Sequence, residues 1–372
     1  MIGSPAIEST VREPGANPGR SRRCEGRRSS ATKPLAEAGK AAEGGSPESE
    51  DLSRSSYPEP LAEGRLQVLR AFVLLAGAAL AALAVSVASA TGGASTPSSS
   101  FPVTVIASNG KVTVKKRPAR IVSLSPTATE SLFAIGAASQ VVAVDDQSDY
   151  PKSAPRTALS GFTPNVEAIA TYRPDLVVIA YDPKGLSGAL ERLGITVLHQ
   201  DGAKSFKGAY QQIRQLGLVT GRDAAAKRVV SGMKQRIATI TRDARKSRSG
   251  LSVYHELTPD LYSATSKTFV GQVYTALGLR NIADAADSAG FGYPQLSAEY
   301  VVSTSPDLIV LADTVCCGQK ASSVAARPGW DRISAVRTGS IVRIDDSIAS
   351  RWGPRIVNFF RAMSSALARL RQ

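Results

Sequence analysis

Histidine occurs twice in the 372 residues, at His199 and His255, and cysteine three times, at Cys24 and the adjacent pair Cys316 and Cys317. A transition-metal centre needs three or four His, Cys or carboxylate ligands at workable spacings, so the sequence predicts no resident metal site and no cofactor. The motifs of several large enzyme classes are also missing. There is no G-x-G-x-x-G after a strand, no G-x-x-x-x-G-K-[ST] loop, no G-x-S-x-G elbow and no H-E-x-x-H, and "HELTPD" at His255 only begins like the last of these. No nucleophile and base stand at a recognisable spacing. In an exported two-lobed protein, such an absence of chemistry is the pattern expected of one that binds a ligand without changing it.

Lys and Arg number 45 against 31 Asp and Glu. The excess of 14 favours an acidic surface, an anionic ligand or nucleic acid. The basic residues are scattered and not interleaved with aromatics, and no nucleic-acid motif occurs, so nucleic acid is not expected as a partner.

The chain changes character along its length. Residues 1–65 are rich in Pro, Gly, Ser, Arg and Glu without apolar periodicity, which predicts a disordered extension. Within 66–90 comes "AFVLLAGAALAALAVSVASA", an uncharged run ending in Ala88-Ser89-Ala90, an A-x-A cleavage pattern. It reads as a secretory signal peptide, and its length also permits a membrane anchor. Export would place the chain in the periplasm or at the cell surface, in an oxidising compartment. Cys316 and Cys317 then have three open readings: a vicinal disulfide, two free thiols or a ligand contact.

Residues 91–116 form a linker and a hairpin, "FPVTVIAS" pairing with "KVTVKKRP" around Asn109-Gly110. From 117 to 205 strands and helices alternate. "RIVSLS" is a buried strand, "TATE" spaces Thr127 and Glu130 as a capping box, and Gly136 ends the helix that follows. In 206–248, Val229, Val230, Met233, Ile237, Ile240 and Ala244 recur at three- and four-residue steps. They predict one long amphipathic helix from about Arg222 to Lys246. Residues 249–372 resume the alternation, beginning with "LSVYHEL" and closing on the helical "GPRIVNFFRAMSSALARL".

One unit is written twice. "EAIATYRPDLVVIA" begins at Glu167 and "EYVVSTSPDLIVLA" at Glu299. Each reads as a helix capped by Asn165 or Ser297, a stop at Pro174 or Pro306, and an uninterrupted apolar strand covered on both faces. Two copies predict two similar α/β lobes with parallel sheets.

"RIVSLSPTATESLFAIG", "SDYP", "PNVEAIATYRPDLVVIA", "YPQLSAEYVVSTSPDLIVLA" and "SRWGPRIV" resemble, in order, segments of class III periplasmic binding proteins. These are the solute-binding components of ABC importers for cobalamin, ferric siderophores and haem. The resemblance implies two Rossmann-like lobes joined by one long rigid α-helix, with a metal-chelate ligand held between them. It implies a monomer with an ABC permease as partner, associated with the membrane through that permease or an uncleaved N-terminal segment.

In that family one glutamate on each lobe docks onto permease arginines, and the matching positions are Glu167 and Glu299. A carboxylate in a first helical turn is also favoured by the helix dipole alone. Strand-end geometry nominates Phe162, Tyr181, Glu256, Tyr293, Cys316, Cys317, Arg351 and Trp352 for the ligand cleft. Of these, Phe162, Tyr293 and Arg351 match ligand-contacting positions of cobalamin-binding relatives. Gln147 departs from that pattern, standing where a cobalamin binder has tyrosine, which keeps a ferric siderophore beside a corrinoid as the expected ligand. The alternatives are an exported α/β enzyme or a haem-binding protein on the same scaffold.

Overall fold

Residues 101–247 and 250–370 are described by a computed structural model. The expectations for residues 1–65 and 66–90, and for the linker as far as residue 100, lie outside the described residues.

A hairpin comes first, β1 (Val103–Ala107) with β2 (Gly110–Val114). The first lobe follows with β3 (Ile121–Leu124), α1 (Pro126–Ala134), β4 (Val141–Val144), α2 (Val166–Thr171), β5 (Leu176–Ile179), α3 (Leu186–Arg192) and β6 (Thr196–His199). Two helices come next, α4 (Phe206–Val219) and α5 (Asp223–Ser247). The second lobe has β7 (Ser252–Glu256), α6 (Phe269–Leu277), β8 (Arg280–Asn281), α7 (Ala298–Thr304), β9 (Leu308–Leu311), α8 (Ala321–Ala325), α9 (Ser334–Arg337), β10 (Ile341–Arg343), α10 (Asp346–Ser350) and α11 (Ile356–Arg369).

Each lobe carries a four-stranded parallel sheet, ordered β4-β3-β5-β6 in the first and β10-β9-β7-β8 in the second. Numbered within its own lobe, each sheet therefore has the order second, first, third, fourth. The repeated sequence unit occupies the same place in both, the helix before the third strand and that strand itself.

The apolar runs are uninterrupted because both faces of each sheet are covered. Side chains alternate between faces. Leu176 and Val178 of β5 enter a core shared with α1, α4, α5 and α11, while Val177 and Ile179 enter a second core beneath α2 and α3. In β9, Leu308 and Val310 join that same shared core, and Ile309 and Leu311 pack with Trp330 and Ile333 on the opposite face. One continuous hydrophobic core thus runs from the first lobe through α5 to the second.

The repeat is reproduced in detail. Asn165 and Ser297 cap their helices by accepting from Ala168 N and Tyr300 N. Just before each proline the chain turns left-handed, at Arg173 (φ 45°) and Ser305 (φ 41°). The Asp of each Pro-Asp-Leu fastens the start of its lobe's first strand. Asp175 accepts from Ala119 N (2.9 Å) and Arg120 N (3.1 Å), and Asp307 accepts from Ser252 N (2.8 Å) and Ser252 Oγ (2.7 Å).

Two local expectations are corrected. The cap of α1 is Ser125, whose hydroxyl accepts from Ala128 N with Pro126 in the first turn, so Thr127 and Glu130 form no capping box. Glu130 is instead claimed by arginines of the second lobe, described below. In the hairpin Ala107 pairs with Gly110, which makes the loop Ser108-Asn109 rather than Asn109-Gly110. Asn109 is held elsewhere, donating to Val197 O (3.1 Å) and accepting from His199 N (3.2 Å), and so ties the hairpin to β6.

The long helix is α5, displaced by one residue at each end from the periodicity reading. Val230, Met233, Ile237 and Ala244 are buried along it, and Lys227, Arg228, Lys234, Arg236, Arg242, Arg245 and Lys246 are exposed.

Candidate functional site

The segment between α10 and α11 reaches from the second lobe to α1 and to the loop after β4 of the first. Arg351 Nη1 donates to Glu130 Oε1 (2.9 Å) on α1 and to Asp149 Oδ1 (2.7 Å), and Nη2 donates to Gln147 O (3.0 Å). Arg355 Nη2 reaches the same Glu130 oxygen at 2.6 Å, and its guanidinium lies 4.3 Å from the ring centroid of Tyr150. Glu130 is buried, so the first lobe presents a desolvated carboxylate that two cations of the second lobe grip. Trp352 extends the contact, its Nε1 donating to Gln212 Oε1 (2.7 Å) while its ring lies over Gly202. Arg351 thus bridges the lobes and pairs with neither Asp345 nor Asp346. Asp145, at the end of β4, is buried, and burial pushes its carboxyl up to about 6 although Arg351 pulls the other way.

On the second lobe, Glu256 closes β7 and is fully buried. The two terminal nitrogens of Arg327 take its two oxygens, each at 2.6 Å, and the guanidinium stacks 4.5 Å from the ring centroid of Trp330. Glu256 was expected to face a ligand. It is instead sealed beneath Arg327, 71 residues along the chain, because a strand-end carboxylate without solvent needs a cation at hand. Asp313, just past β9, is also buried, and burial together with facing Glu256 pushes it up to about 7. His255 lies on the opposite side of β7 against Tyr274, and burial pushes it down to about 3, so it is a neutral core residue.

The aromatic candidates stand on separate loops. Phe162, on the segment between β4 and α2, is 71% exposed; Tyr181, after β5, is 56% exposed; Tyr293, between β8 and α7, is 52% exposed. Phe291 beside it is more open still at 84%, and the sequence reading passed over it. Phe162 also lines a hollow of about 380 Å³ with Glu167, Pro183 and Lys184 at the start of α2.

Glu167 and Glu299 are both exposed in the first turns of α2 and α7. Bonds from its own backbone amide and the Ser297 hydroxyl hold the Glu299 carboxyl below its ordinary value. Both helices begin on the edge of their sheet where the strands end, so the two glutamates occupy corresponding places.

Cys316 and Cys317 are free and exposed on the loop after β9. Asp346 shapes that loop by accepting from Val315 N (3.0 Å) and Cys316 N (2.6 Å). Burial, Cys317 and the Asp346 carboxylate push the Cys316 thiol up. Glu130, Asp149, Arg327 and Asp313 are the polar residues the sequence reading missed. Only Arg327 carried a local hint, its place just before Trp330.

Residues 121–348 match the family model for periplasmic binding proteins, and the chain belongs to that family. It is 33% identical over 282 residues to an uncharacterized ABC transporter substrate-binding lipoprotein, YvrC, of Bacillus subtilis, covering 72% of this chain and 86% of that one. It is 33% identical over 276 residues to a cobalamin-binding protein of Halobacterium salinarum, covering 72% and 74%. Among solved structures it resembles a possible iron-binding periplasmic solute-binding protein of Staphylococcus epidermidis, with TM-score 0.59, 26% identity, and 68% and 99% of the two chains covered. The vitamin B12-binding protein BtuF of Vibrio cholerae shares the fold, with TM-score 0.56 at 23% identity over 68% and 98% of the chains.

Proposed function

We propose that this chain is the solute-binding component of an ABC importer, exported or held at the cell surface, and that it carries a corrinoid or ferric siderophore between its lobes to a membrane permease. One observation carries this reading. Two parallel sheets of identical strand order share one core through α5, Arg351 joins the lobes at Glu130, and separate loops of the two lobes expose Phe162, Tyr181, Phe291 and Tyr293. Solvent-exposed aromatic faces at strand ends suit a large, partly apolar chelate. Arg351 and Trp352 at the seam are placed to sense such a ligand, Arg351 by exchanging Asp149 for an anionic group. Glu256 is left out of the contact set because it is sealed. Glu167 and Glu299 serve as the permease contacts, one per lobe. The chain acts as a monomer and performs no catalysis.

A thermal-shift screen of the full chain with cobalamin, cobinamide, haem and several ferric siderophores tests the reading. A ligand at a hundredfold excess over its dissociation constant stabilises the folded state by about 2.7 kcal/mol. A shift with one class and not the others names the ligand. No shift with any of them overturns the metal-chelate reading.

A further inference from the structure

Asp313 is wholly buried, and among the described residues no other residue donates a hydrogen bond to either of its carboxylate oxygens. An ionised carboxylate in that position is costly enough that such groups ordinarily take up a proton instead. Its neighbour is set by the sheet. Leu311 of β9 stands beside Glu256 of β7, and Ala312 N donates to Glu256 O at 2.9 Å. Two residues past Leu311 the chain returns to the same face, which brings the carboxyl of Asp313 against that of Glu256. Two carboxylates only accept, so their contact is bonding when one proton lies between them. Glu256 is not the one that carries it, because both terminal nitrogens of Arg327 donate to its two oxygens at 2.6 Å.

We propose that Asp313 binds a proton and donates it to Glu256, making Asp313, Glu256 and Arg327 a buried proton-binding site that fastens the segment from Asp313 to Arg327 onto the carboxyl edge of the second sheet. The groups that face Asp313 are Glu256 and Tyr254 from β7 and Arg327 from the turn after α8. With the proton bound, the cluster holds one anion and one cation. Without it, two anions share one cation in a site closed to water. The segment at stake carries Cys316, Cys317 and α8, and its two ends are themselves members of the cluster. Burial and the Glu256 charge place the exchange near neutral pH. The site does not depend on the ligand proposed above, and its test needs none.

Thermal unfolding of the full chain is measured from pH 4 to pH 9 for wild type and Asp313→Asn, whose amide keeps the shape and donates permanently. In the ordinary range between the unfolded and folded values, the folded chain holds a proton that the unfolded chain has lost. Stability is therefore lost as pH rises from about 4 to about 7, and is level above. Relative to Asp313→Asn, the wild-type Tm is expected to drop by roughly 5–10 °C across that window. A difference that stays constant from pH 4 to pH 9 overturns the proposal. Should Asp313→Asn fail to fold, hydrogen exchange on the wild type decides. Protection of residues 313–327, normalised for intrinsic exchange, is expected to fall several-fold between pH 6 and pH 9, and unchanged protection overturns the proposal.

Discussion

Arg351 and Glu130 are 221 residues apart in sequence and 2.9 Å apart in space, one in each lobe. Glu130 is buried, and Arg355 shares its oxygen. The two arginines are not equivalent partners for it, because Arg351 alone also holds Asp149 and the Gln147 carbonyl. Removing the carboxylate leaves Arg355 without its ion-pair partner while Arg351 keeps Asp149, and breaking a buried pair from one side costs about 3–5 kcal/mol. Glu130→Gln should therefore lower the Tm clearly. Arg351→Ala should lower it less, since Arg355 stays on Glu130. Unfolding in urea measures both, and a Glu130→Gln variant as stable as wild type would show that the seam contact carries no stability.

The same Arg351→Ala variant separates bridging from ligand contact. A charge-assisted hydrogen bond to a buried group contributes roughly 1.5–3 kcal/mol, so affinity for the ligand found by screening should fall about tenfold or more. Titration calorimetry checks it. Unchanged affinity would leave Arg351 as a bridge between lobes and nothing more.

Gly217 lies in α4 where that helix meets α5. A Cβ there would come within 2.3 Å of the Ala226 Cβ, inside any tolerable contact. Gly217→Ala should destabilise by about 1–3 kcal/mol, as overpacking does. Adding Ala226→Gly removes the obstructing methyl, so the double variant should be more stable than Gly217→Ala alone. If the second change only adds to the loss, the close helix approach is not the cause.

Asp145 provides a second pH dependence in the first lobe. Burial pushes it up to about 6, above its ordinary value, so the folded chain holds its proton longer than the unfolded chain does. Stability from this group is present below about pH 4 and lost as pH rises toward 6. Asp145→Asn should flatten that part of the Tm profile. A profile unchanged from pH 4 to pH 6 would mean that Asp145 is ionised in the fold.

The repeat was legible because its determinants are local. Asn165 and Ser297 cap, Pro174 and Pro306 stop, and the apolar runs alternate between two cores, all within about fifteen residues. The long helix was legible for the same reason, since Val230, Met233 and Ile237 repeat at its own period. The polar partners were not. Glu256 takes Arg327 at 71 residues and Glu130 takes Arg351 at 221, and no spacing rule links residues that meet only when a sheet edge and a remote loop are brought together. Glu130 misled for a specific reason: the three-residue gap from Thr127 fits a capping box, but Ser125 and Pro126 set the helix start two residues earlier.

The repeated glutamates make the remaining prediction. Glu167 and Glu299 begin equivalent helices in two lobes of the same strand order, and both face solvent. Helix-dipole stabilisation would favour a carboxylate at each place, but it would not need both side chains to stand clear of intramolecular cations, and no ion pair to either is present among the described residues. Such a pair of free anions at corresponding points suits a partner with two matching cationic sites. At a partly desolvated interface, losing one member of a charge pair costs about 2–5 kcal/mol. Glu167→Ala with Glu299→Ala should therefore abolish uptake in cells that depend on this protein, while the purified variant keeps its Tm and its ligand affinity. Charge reversal of both should be no better than Ala. Uptake at the wild-type rate in the double variant would leave only the helix dipole as the reason for a glutamate at each start.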